Sequence, residues 1–308
     1  MSELEIGVAL PTMEEITALG RDGIVAVARH AEAVGLDSVG AADVLIGDGT
    51  LALESMVVLS TAAAVTERIA LSFGVLSVPT RPLAMLAAQV QTLQYLSGGR
   101  VRLGLGIGGF PGSPFWHALD APERRRGNLL DLALDKLPGL IAGEPTSLPG
   151  SAETVSLRLA PAATVPPLYV GGGTSEVVLR RIATRADGWL PSFLTPAELS
   201  SAVTRLRELA AEAGRPAPRV ELGMHGVLGD RPEDRADREQ MLAKLGDFAG
   251  MSRDRIAAVT LTGGPEEAAD RLAEFAEAGA DEIGIGFDSR DHLRQLDLLG
   301  EARVQAAR

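Results

Sequence analysis

The chain has 308 residues, no cysteine and a formal net charge of −12. The length suits a single barrel domain with a large core. The absence of cysteine excludes disulfides, thiolate nucleophiles and Cys-ligated metals, and it fits a reducing cytoplasm. The negative charge disfavours nucleic-acid binding. We expect no secretory signal and no membrane helix, because no apolar run reaches the ~18–20 residues that a membrane span needs.

In chain order, apolar runs of strand length alternate with segments of helical spacing. Strands are predicted at residues 4–10, 37–42, 69–78, 101–107, 168–170, 188–193, 220–228 and 282–287, with an uncertain β-rich piece at 256–262. Helices are predicted at residues 22–34, 54–65, 83–96, 123–142, 174–186, 196–213, 232–248, 265–278 and 291–307. Residues 110–122 predict a loop, and the Pro-, Ser- and Thr-rich segment around 143–167 predicts an insertion.

This alternation indicates an α/β chain with parallel strands. About eight strand–helix units are what a (β/α)8 TIM barrel requires. The alternative, an open doubly wound sheet, is disfavoured because no Rossmann fingerprint follows the first strand. No linker divides the sequence. We therefore expect residues 1–308 to form one barrel domain, with its active site in loops at the carboxyl ends of the strands.

Residues 68–109 combine several motifs in a fixed order. Gly74-Val75-Leu76 lies in a predicted strand and is followed by Arg81-Pro82, a helix, the motif LSGGR at residues 96–100 and LGLGIG at residues 103–108. This order resembles the luciferase-like monooxygenase superfamily. Members of that superfamily are flavin-dependent monooxygenases or oxidoreductases that use the deazaflavin coenzyme F420.

The segment Gly171-Gly172-Gly173-Thr174-Ser175 follows a predicted strand and opens a predicted helix. Glycines allow close approach of a ligand, and free N–H groups at a helix start favour a phosphate. A tight turn with Thr174 or Ser175 as an ordinary N-cap has the same sequence pattern. The resemblance implies phosphate binding, because the family binds phosphate here and its next helix also ends in Ala-Asp-Gly, matched by residues 186–188.

A glycine inside a strand marks a bulge, a close backbone approach or room for a packed helix. The resemblance implies a non-proline cis peptide at Gly74-Val75 that backs the flavin or deazaflavin ring. Asp43 ends the second predicted strand and is a candidate cofactor contact, although Asp at a strand end is commonly a turn residue. Gly106 and Gly108 do not belong to a dinucleotide fingerprint, and we expect them to leave space for the ring.

Two positions depart from the acid/base residues of the resembling family. Val44 stands where members often have His, and Gly109 stands where some deazaflavin dehydrogenases have Glu. The candidates for proton transfer are then His117, in the loop at 110–122, and His225, in the seventh strand, because imidazole titrates near neutrality. A structural role is the alternative for each.

The remaining candidates concern the loop at 110–122 and the surface. Phe110 and Trp116 suit a lid that contacts substrate and excludes water, or else cap the barrel core. His30 and His292 are predicted to lie at the surface, and residues 124–126, three consecutive arginines, predict a solvated charged face. No His, Asp and Glu cluster has metal-ligand spacing.

The resemblance implies a phosphate-bearing cofactor over strands three to five. The Arg- and Ala-rich composition and the compact length favour a coenzyme F420-dependent oxidoreductase that transfers a hydride to or from a small organic substrate. The alternatives are an FMN-dependent luciferase-like monooxygenase and, because two acid/base positions are replaced, a non-catalytic flavin-binding or accessory barrel. We expect a homodimer, since helices 54–65 and 83–96 carry small and apolar residues and family members are often dimers.

Overall fold

The computed structural model describes residues 4–149 and 153–306. Eight parallel strands form the barrel: β1 Glu5–Ala9, β2 Ser38–Ala41, β3 Ala70–Phe73 continued by Leu76–Ser77, β4 Val101–Gly106, β5 Leu168–Gly171, β6 Gly188–Leu190, β7 Arg219–Leu228 and β8 Glu282–Phe287. Each strand pairs with the next, and β8 pairs with β1 from Glu282 opposite Glu5 to Ile285 opposite Val8. The ring is therefore closed, and the prediction of a (β/α)8 barrel is confirmed.

One helix or helical segment follows each strand. The helices that surround the ring are Gly23–Ala33, Ser55–Ala63, Leu83–Leu96, Arg126–Ile141, Glu176–Arg185, Pro196–Glu212, Pro265–Glu277 and His292–Ala306. Additional helices are Ile16–Leu19, Pro114–Ala118, Pro232–Ala249 and Arg253–Ala257, with a 3-10 turn at Val78–Thr80. Pro138 lies inside its helix without ending it.

Local sequence explains why these helices form and which face they bury. Helix Pro196–Glu212 begins with a capping box, in which the Thr195 hydroxyl accepts from the Glu198 N–H and the Glu198 carboxylate accepts from the Thr195 N–H. Its buried residues Leu199, Val203 and Leu206 recur at helical spacing. The strands carry near-continuous apolar runs because parallel strands are covered on both faces.

Three features differ in detail from the predicted elements. The predicted strand at 69–78 is divided, since β3 stops at Phe73 and resumes at Leu76. The insertion contains an antiparallel pair, Thr146–Pro149 with Thr154–Leu157, which lies apart from the barrel sheet. The β-rich piece at 256–262 becomes the end of a short helix and a strand, Thr260–Gly263, that pairs with the last four residues of β7 and stands outside the ring.

Candidate active site

A cavity of about 440 Å³ lies inside the barrel and opens at the carboxyl ends of the strands. Residues from the ends of β1, β2, β3, β5, β6, β7 and β8 line it, and Ser38, Ser72 and Glu221 form its floor. Of the residues predicted to bind cofactor or transfer a proton, the cavity brings together Gly74, Val75, Gly171, Gly172 and His225. Gly173, Thr174 and Ser175 continue the same turn just outside the lining, whereas Asp43, Gly106, Gly108 and His117 do not line the cavity.

The first wall of the cavity is built around Val75. The peptide bond between Gly74 and Val75 is cis, as the resemblance implies. A Cβ atom on Gly104, Gly106 or Gly171 would lie 3.0, 2.6 or 2.9 Å from the nearest methyl carbon of Val75. The glycines of β4 therefore make room for the Val75 side chain, which fills the space beside Gly106.

The packing of the loop after β4 explains why residue 108 is a glycine. A Cβ atom on Gly108, whose φ is +76°, would overlap the hydroxyl of Ser77 and the Trp116 ring. Trp116 is 2% exposed, and the Arg126 guanidinium lies 5.7 Å from its ring centroid and donates to the carbonyls of Ile107 and Gly108. Trp116 is thus packed against the chain after β4 and does not line the cavity.

The loop at 110–122 does not reach the cavity through its aromatic or histidine side chains. Phe110 is half-buried and, like Trp116, is not among the cavity-lining residues. The side chain of His117 is 67% exposed, and its Nε2 lies 3.3 Å from Glu123 Oε1. The structure thus places none of the three side chains where a lid over the cavity would need it.

The glycine turn after β5 has the features that a phosphate site needs. Gly171 and Gly172 line the cavity, while Gly173, Thr174 and Ser175 are exposed at the start of helix Glu176–Arg185. Ser175 occupies the N-cap position, but its side chain makes no capping hydrogen bond. Its hydroxyl and the first N–H groups of the helix are thus free for an anion. Trp189 Nε1–H donates to the Gly172 carbonyl at 3.0 Å and steadies the turn.

The carboxylate of Asp43 is buried and hydrogen-bonded to other groups of the protein. Its side chain is 2% exposed and accepts from both terminal nitrogens of Arg81, at 2.5 and 2.8 Å. It also accepts from the Ser77 N–H at 2.8 Å and the Ser55 hydroxyl at 3.1 Å. These bonds tie the end of β2 to the end of β3 and to the helix between them, and Asp43 is not among the cavity-lining residues.

His225 lies on the side of the cavity opposite the Gly74-Val75 wall, and its imidazole is paired with the carboxylate of Asp288. Its Nδ1 lies 2.7 Å from Asp288 Oδ2, and its ring stacks on Phe193 with 6.2 Å between centroids. Because the carboxylate can only accept, Nδ1 carries the donated proton and Nε2 is available to a ligand. The side chain is 41% exposed, so a proton can pass from it to solvent.

His292 was expected at the surface, and this expectation is wrong. The residue is 2% exposed, begins the last helix and lines the cavity. Its ring meets Phe287 edge-on, with 6.0 Å between centroids, and burial lowers the pKa of His292 to about 4. The sequence does contain a signal that we missed: His292, Leu296 and Leu299 recur at helical spacing on the buried face.

The floor of the cavity contains a second feature that the sequence analysis missed. Glu221 and Glu282 lie directly opposite each other in the β7–β8 pair. The Ser72 hydroxyl donates to Glu221 at 2.9 Å, and Arg102 pairs with Glu282. Burial and the charge of Glu282 raise the pKa of Glu221 to about 8, although Arg102 opposes the shift. A carboxylate between Val220 and Leu222, both buried, is the signal that could have revealed it.

Within residues 4–149 and 153–306, no group of three His, Asp or Glu side chains is arranged to hold a metal ion. Among the helices described in the same ranges, none has the length and apolar character needed to cross a bilayer.

Comparison with known proteins identifies the class to which this fold and cavity belong. Residues 5–282 match the family model of luciferase-like monooxygenases, so the chain belongs to that family. An uncharacterized protein of Mycobacterium tuberculosis (strain H37Rv) is 34% identical over 172 residues, which cover 56% of this chain and 59% of that protein. The 4-hydroxyprotoasukamycin monooxygenase of Streptomyces nodosus subsp. asukaensis is 29% identical over 302 residues, covering 90% of this chain and 79% of that enzyme.

Solved structures share the barrel over nearly the whole chain. An F420-dependent secondary alcohol dehydrogenase in complex with an F420-acetone adduct has a TM-score of 0.81 at 20% identity, with 99% of each chain covered. The oxygenating constituent of 3,6-diketocamphane monooxygenase from Pseudomonas putida, in complex with FMN, has a TM-score of 0.75 at 18% identity, covering 98% of this chain and 96% of that one. At these identities the likeness shows the fold. The family consists of oxidoreductases and monooxygenases with flavin-type cofactors.

Proposed function

We propose that the protein is a coenzyme F420-dependent oxidoreductase that acts on a small organic substrate. One observation carries the proposal: a single cavity joins the Gly74-Val75 wall and the glycine turn of β5 on one side to the His225–Asp288 pair on the other. The deazaflavin, when bound, supplies hydride transfer, which the chain's own side chains cannot perform.

The chain's own residues then have separate tasks. The turn from Gly171 to Ser175 holds the cofactor phosphate through backbone N–H groups and the free Ser175 hydroxyl. Gly74 and Val75 provide the surface against which the ring lies. His225 moves the substrate proton at Nε2, while Asp288 holds the imidazole in one orientation. We assign this task to His225 instead of His117, since His117 is exposed and lies apart from the cavity.

An FMN-dependent monooxygenase is the second candidate. It is favoured by the likeness to 4-hydroxyprotoasukamycin monooxygenase, which extends over 90% of this chain. The same turn and wall would hold FMN, because its phosphate would bind the same backbone N–H groups at the start of the helix. For either enzyme we propose a cytoplasmic location, in keeping with the absence of cysteine; cell fractionation would check it.

Titration of the purified protein with F420 and, separately, with FMN tests the proposal through the change in cofactor absorbance. We expect F420 to bind at least tenfold more tightly than FMN, a difference of ~1.4 kcal/mol. Tighter binding of FMN would favour the monooxygenase, and binding of neither would favour a non-catalytic barrel.

A variant locates the phosphate. Gly173→Val should weaken cofactor binding at least tenfold, because the new side chain stands where the phosphate must approach. A Cβ atom at Gly173 meets no protein atom within 4 Å, whereas one at Gly172 would lie 2.9 Å from Val178. Gly173 is therefore the cleaner position. Ala197→Val, at the exposed start of the next helix, is the matched control. Unchanged affinity in a folded Gly173→Val protein would remove the turn from the cofactor site.

A further inference from the structure

His292 is a buried polar side chain without a hydrogen-bond partner. Both ring nitrogens are buried, and within residues 4–149 and 153–306 neither finds a donor or acceptor. The backbone of Ala9 lies close enough to favour a proton on one ring nitrogen, so at most one of the two nitrogens has a backbone contact and the other has none. Buried polar groups of folded proteins are nearly always paired, so an unpaired imidazole calls for an explanation.

Position distinguishes His292 from the other unpaired groups. The described side chains with a buried, unpaired nitrogen or oxygen are Ser77, Gln91, Arg238, His292 and Arg303. Of these five residues, His292 alone is among those that line the cavity. Phe287 meets the ring edge-on at an interplanar angle of 87° and packs against it. The ring is thus buried against a neighbouring aromatic side chain with at least one ring nitrogen unpaired.

The polar side chains on the floor of the cavity, and Asp288 above them, are already engaged. Glu221 accepts from Ser72, Asp288 is bonded to His225, and Ser38 donates to Glu282. The described lining residues include the acidic side chains Glu15, Glu221 and Asp288 and no lysine or arginine. An anionic group would therefore meet carboxylates without a compensating cation, and any charged group would lose its hydration among the apolar walls.

We propose that His292 binds the oxygen atom of an uncharged hydroxyl- or carbonyl-bearing substrate. A neutral imidazole has one N–H donor and one acceptor nitrogen. It can therefore donate to or accept from a hydroxyl group, and it can donate to a carbonyl oxygen. The inference rests on the proposed function in one respect, namely that the cofactor ring lies against Gly74-Val75. His292 follows β8, three strands away around the ring from β3, which leaves the space between them for substrate.

Cyclohexanol, cyclohexanone and cyclohexanecarboxylate are suitable probes, since they have similar size and differ in the oxygen group. The chain has four histidines, so the side-chain nitrogens of ¹⁵N-histidine-labelled protein can be resolved by NMR and His292 assigned from its variants. We expect cyclohexanol and cyclohexanone to shift the ring-nitrogen signals of His292 and cyclohexanecarboxylate to leave them unchanged. No shift with either neutral probe, or equally tight binding of the carboxylate, would overturn the proposal.

Variants separate a binding role from a structural one. His292→Leu should weaken cyclohexanol binding at least tenfold while leaving Tm unchanged or raised, because at most the backbone contact with Ala9 is removed and a buried polar ring is replaced by an apolar side chain. His292→Gln keeps a donor and an acceptor and should retain part of the affinity. His30→Leu is the control, since His30 is bonded to Asp297 outside the cavity. Unchanged cyclohexanol affinity in His292→Leu would show that the ring does not bind the substrate oxygen. If both variants also had a lowered Tm, the role of the ring would be structural.

These measurements do not depend on turnover. They are made first without cofactor and then with F420 or FMN added. A protein that binds the neutral probes through His292 but neither cofactor would contradict the proposed function and leave the role of His292 standing. A protein that binds F420 or FMN, but whose His292 signals and probe affinities do not change, would contradict the role of His292 and leave the proposed function standing.

Discussion

The two histidines of the cavity differ in how their rings are held, and this difference divides their tasks. His225 is bonded to Asp288 and 41% exposed, so its ring has both a fixed orientation and access to solvent. His292 is buried without a partner, and burial lowers its pKa to about 4. A ring that must exchange protons needs the first environment, while a ring that must stay neutral and offer hydrogen bonds needs the second.

Removal of His225 should therefore lower turnover more than it changes substrate binding. We expect His225→Ala to reduce kcat at least tenfold, a barrier increase of ~1.4 kcal/mol, with a smaller change in KM. His30→Ala, which removes a partly exposed histidine paired with Asp297, should leave kcat unchanged. Steady-state kinetics with any substrate that the wild type turns over provides the measurement. A rise in KM with kcat retained would make His225 a binding residue.

Glu221 predicts a pH-dependent stability. Its pKa is raised from 4.5 to about 8, first by burial and then by Glu282. Between these two values the folded protein holds a proton that the unfolded chain has released, so the free energy of unfolding falls as the pH rises through this window. The neutral amide of Glu221→Gln has no such proton, so the fall should be smaller in the variant by roughly 2–4 kcal/mol, and the part due to Glu282, whose pKa is also raised by burial, should remain.

Urea denaturation of wild type and Glu221→Gln between about pH 5 and 9 tests this. His292 acts with the opposite sign in a more acidic window, because its folded pKa of about 4 lies below the ordinary 6.5 and stability is lost as the pH falls between them. The difference between variant and wild type removes that contribution. Parallel pH profiles for the two proteins would show that Glu221 is ionised in the folded state.

At the scale of elements, periodicity located most of the barrel correctly. Helix Leu83–Leu96 and strand β8 have the predicted bounds, and the other ring strands begin or end within a few residues of the prediction. These elements carry either helical apolar spacing or a run of buried residues closed by Gly or Pro, and those patterns report the local backbone directly. The fold class follows because strands and helices alternate in the right number.

What periodicity could not show is which side chain fills a given space. Gly106 correctly signals a close approach, but the approaching group is Val75 of the neighbouring strand and not a ligand. Asp43 stands at a strand end, where an aspartate is equally expected for a cofactor contact and for an internal ion pair. In the structure its carboxylate pairs with Arg81. His292 lies on a helix face whose burial depends on the closure of β8 against β1. Each outcome depends on a contact distant in sequence.

At the scale of the whole molecule, the exposed apolar surface suggests an assembly. Helices Ser55–Ala63 and Leu83–Leu96 enclose a groove of about 570 Å³. Large apolar side chains on or beside these helices are exposed: Val57 by 65%, Met85 by 58%, Tyr95 by 59% and Leu96 by 73%. Met85 and Leu96 line the groove itself. Exposed apolar surface commonly marks an interface, and closed dimers are the commonest assembly.

We therefore predict that the wild type is a dimer through this groove and that Met85→Glu yields a monomer, because the charge would have to be buried between two copies. Phe248→Glu is the control, since Phe248 is 69% exposed on a different helix. Light scattering at micromolar concentration measures the mass. A monomeric wild type would contradict the dimer, and a dimeric Met85→Glu protein would place the interface elsewhere.

The match to the family model stops at residue 282, the first residue of β8. The Gly74-Val75 wall and the β5 turn lie inside the matched region, whereas Asp288 and His292 lie beyond it. His225 also lies inside the matched region, so the match covers the residues to which we assign the cofactor together with the proposed proton carrier, but neither its carboxylate partner nor the proposed ligand of the substrate oxygen. We therefore expect relatives that share the matched region to differ in the oxygen group that they accept wherever other side chains stand at the positions of Asp288 and His292.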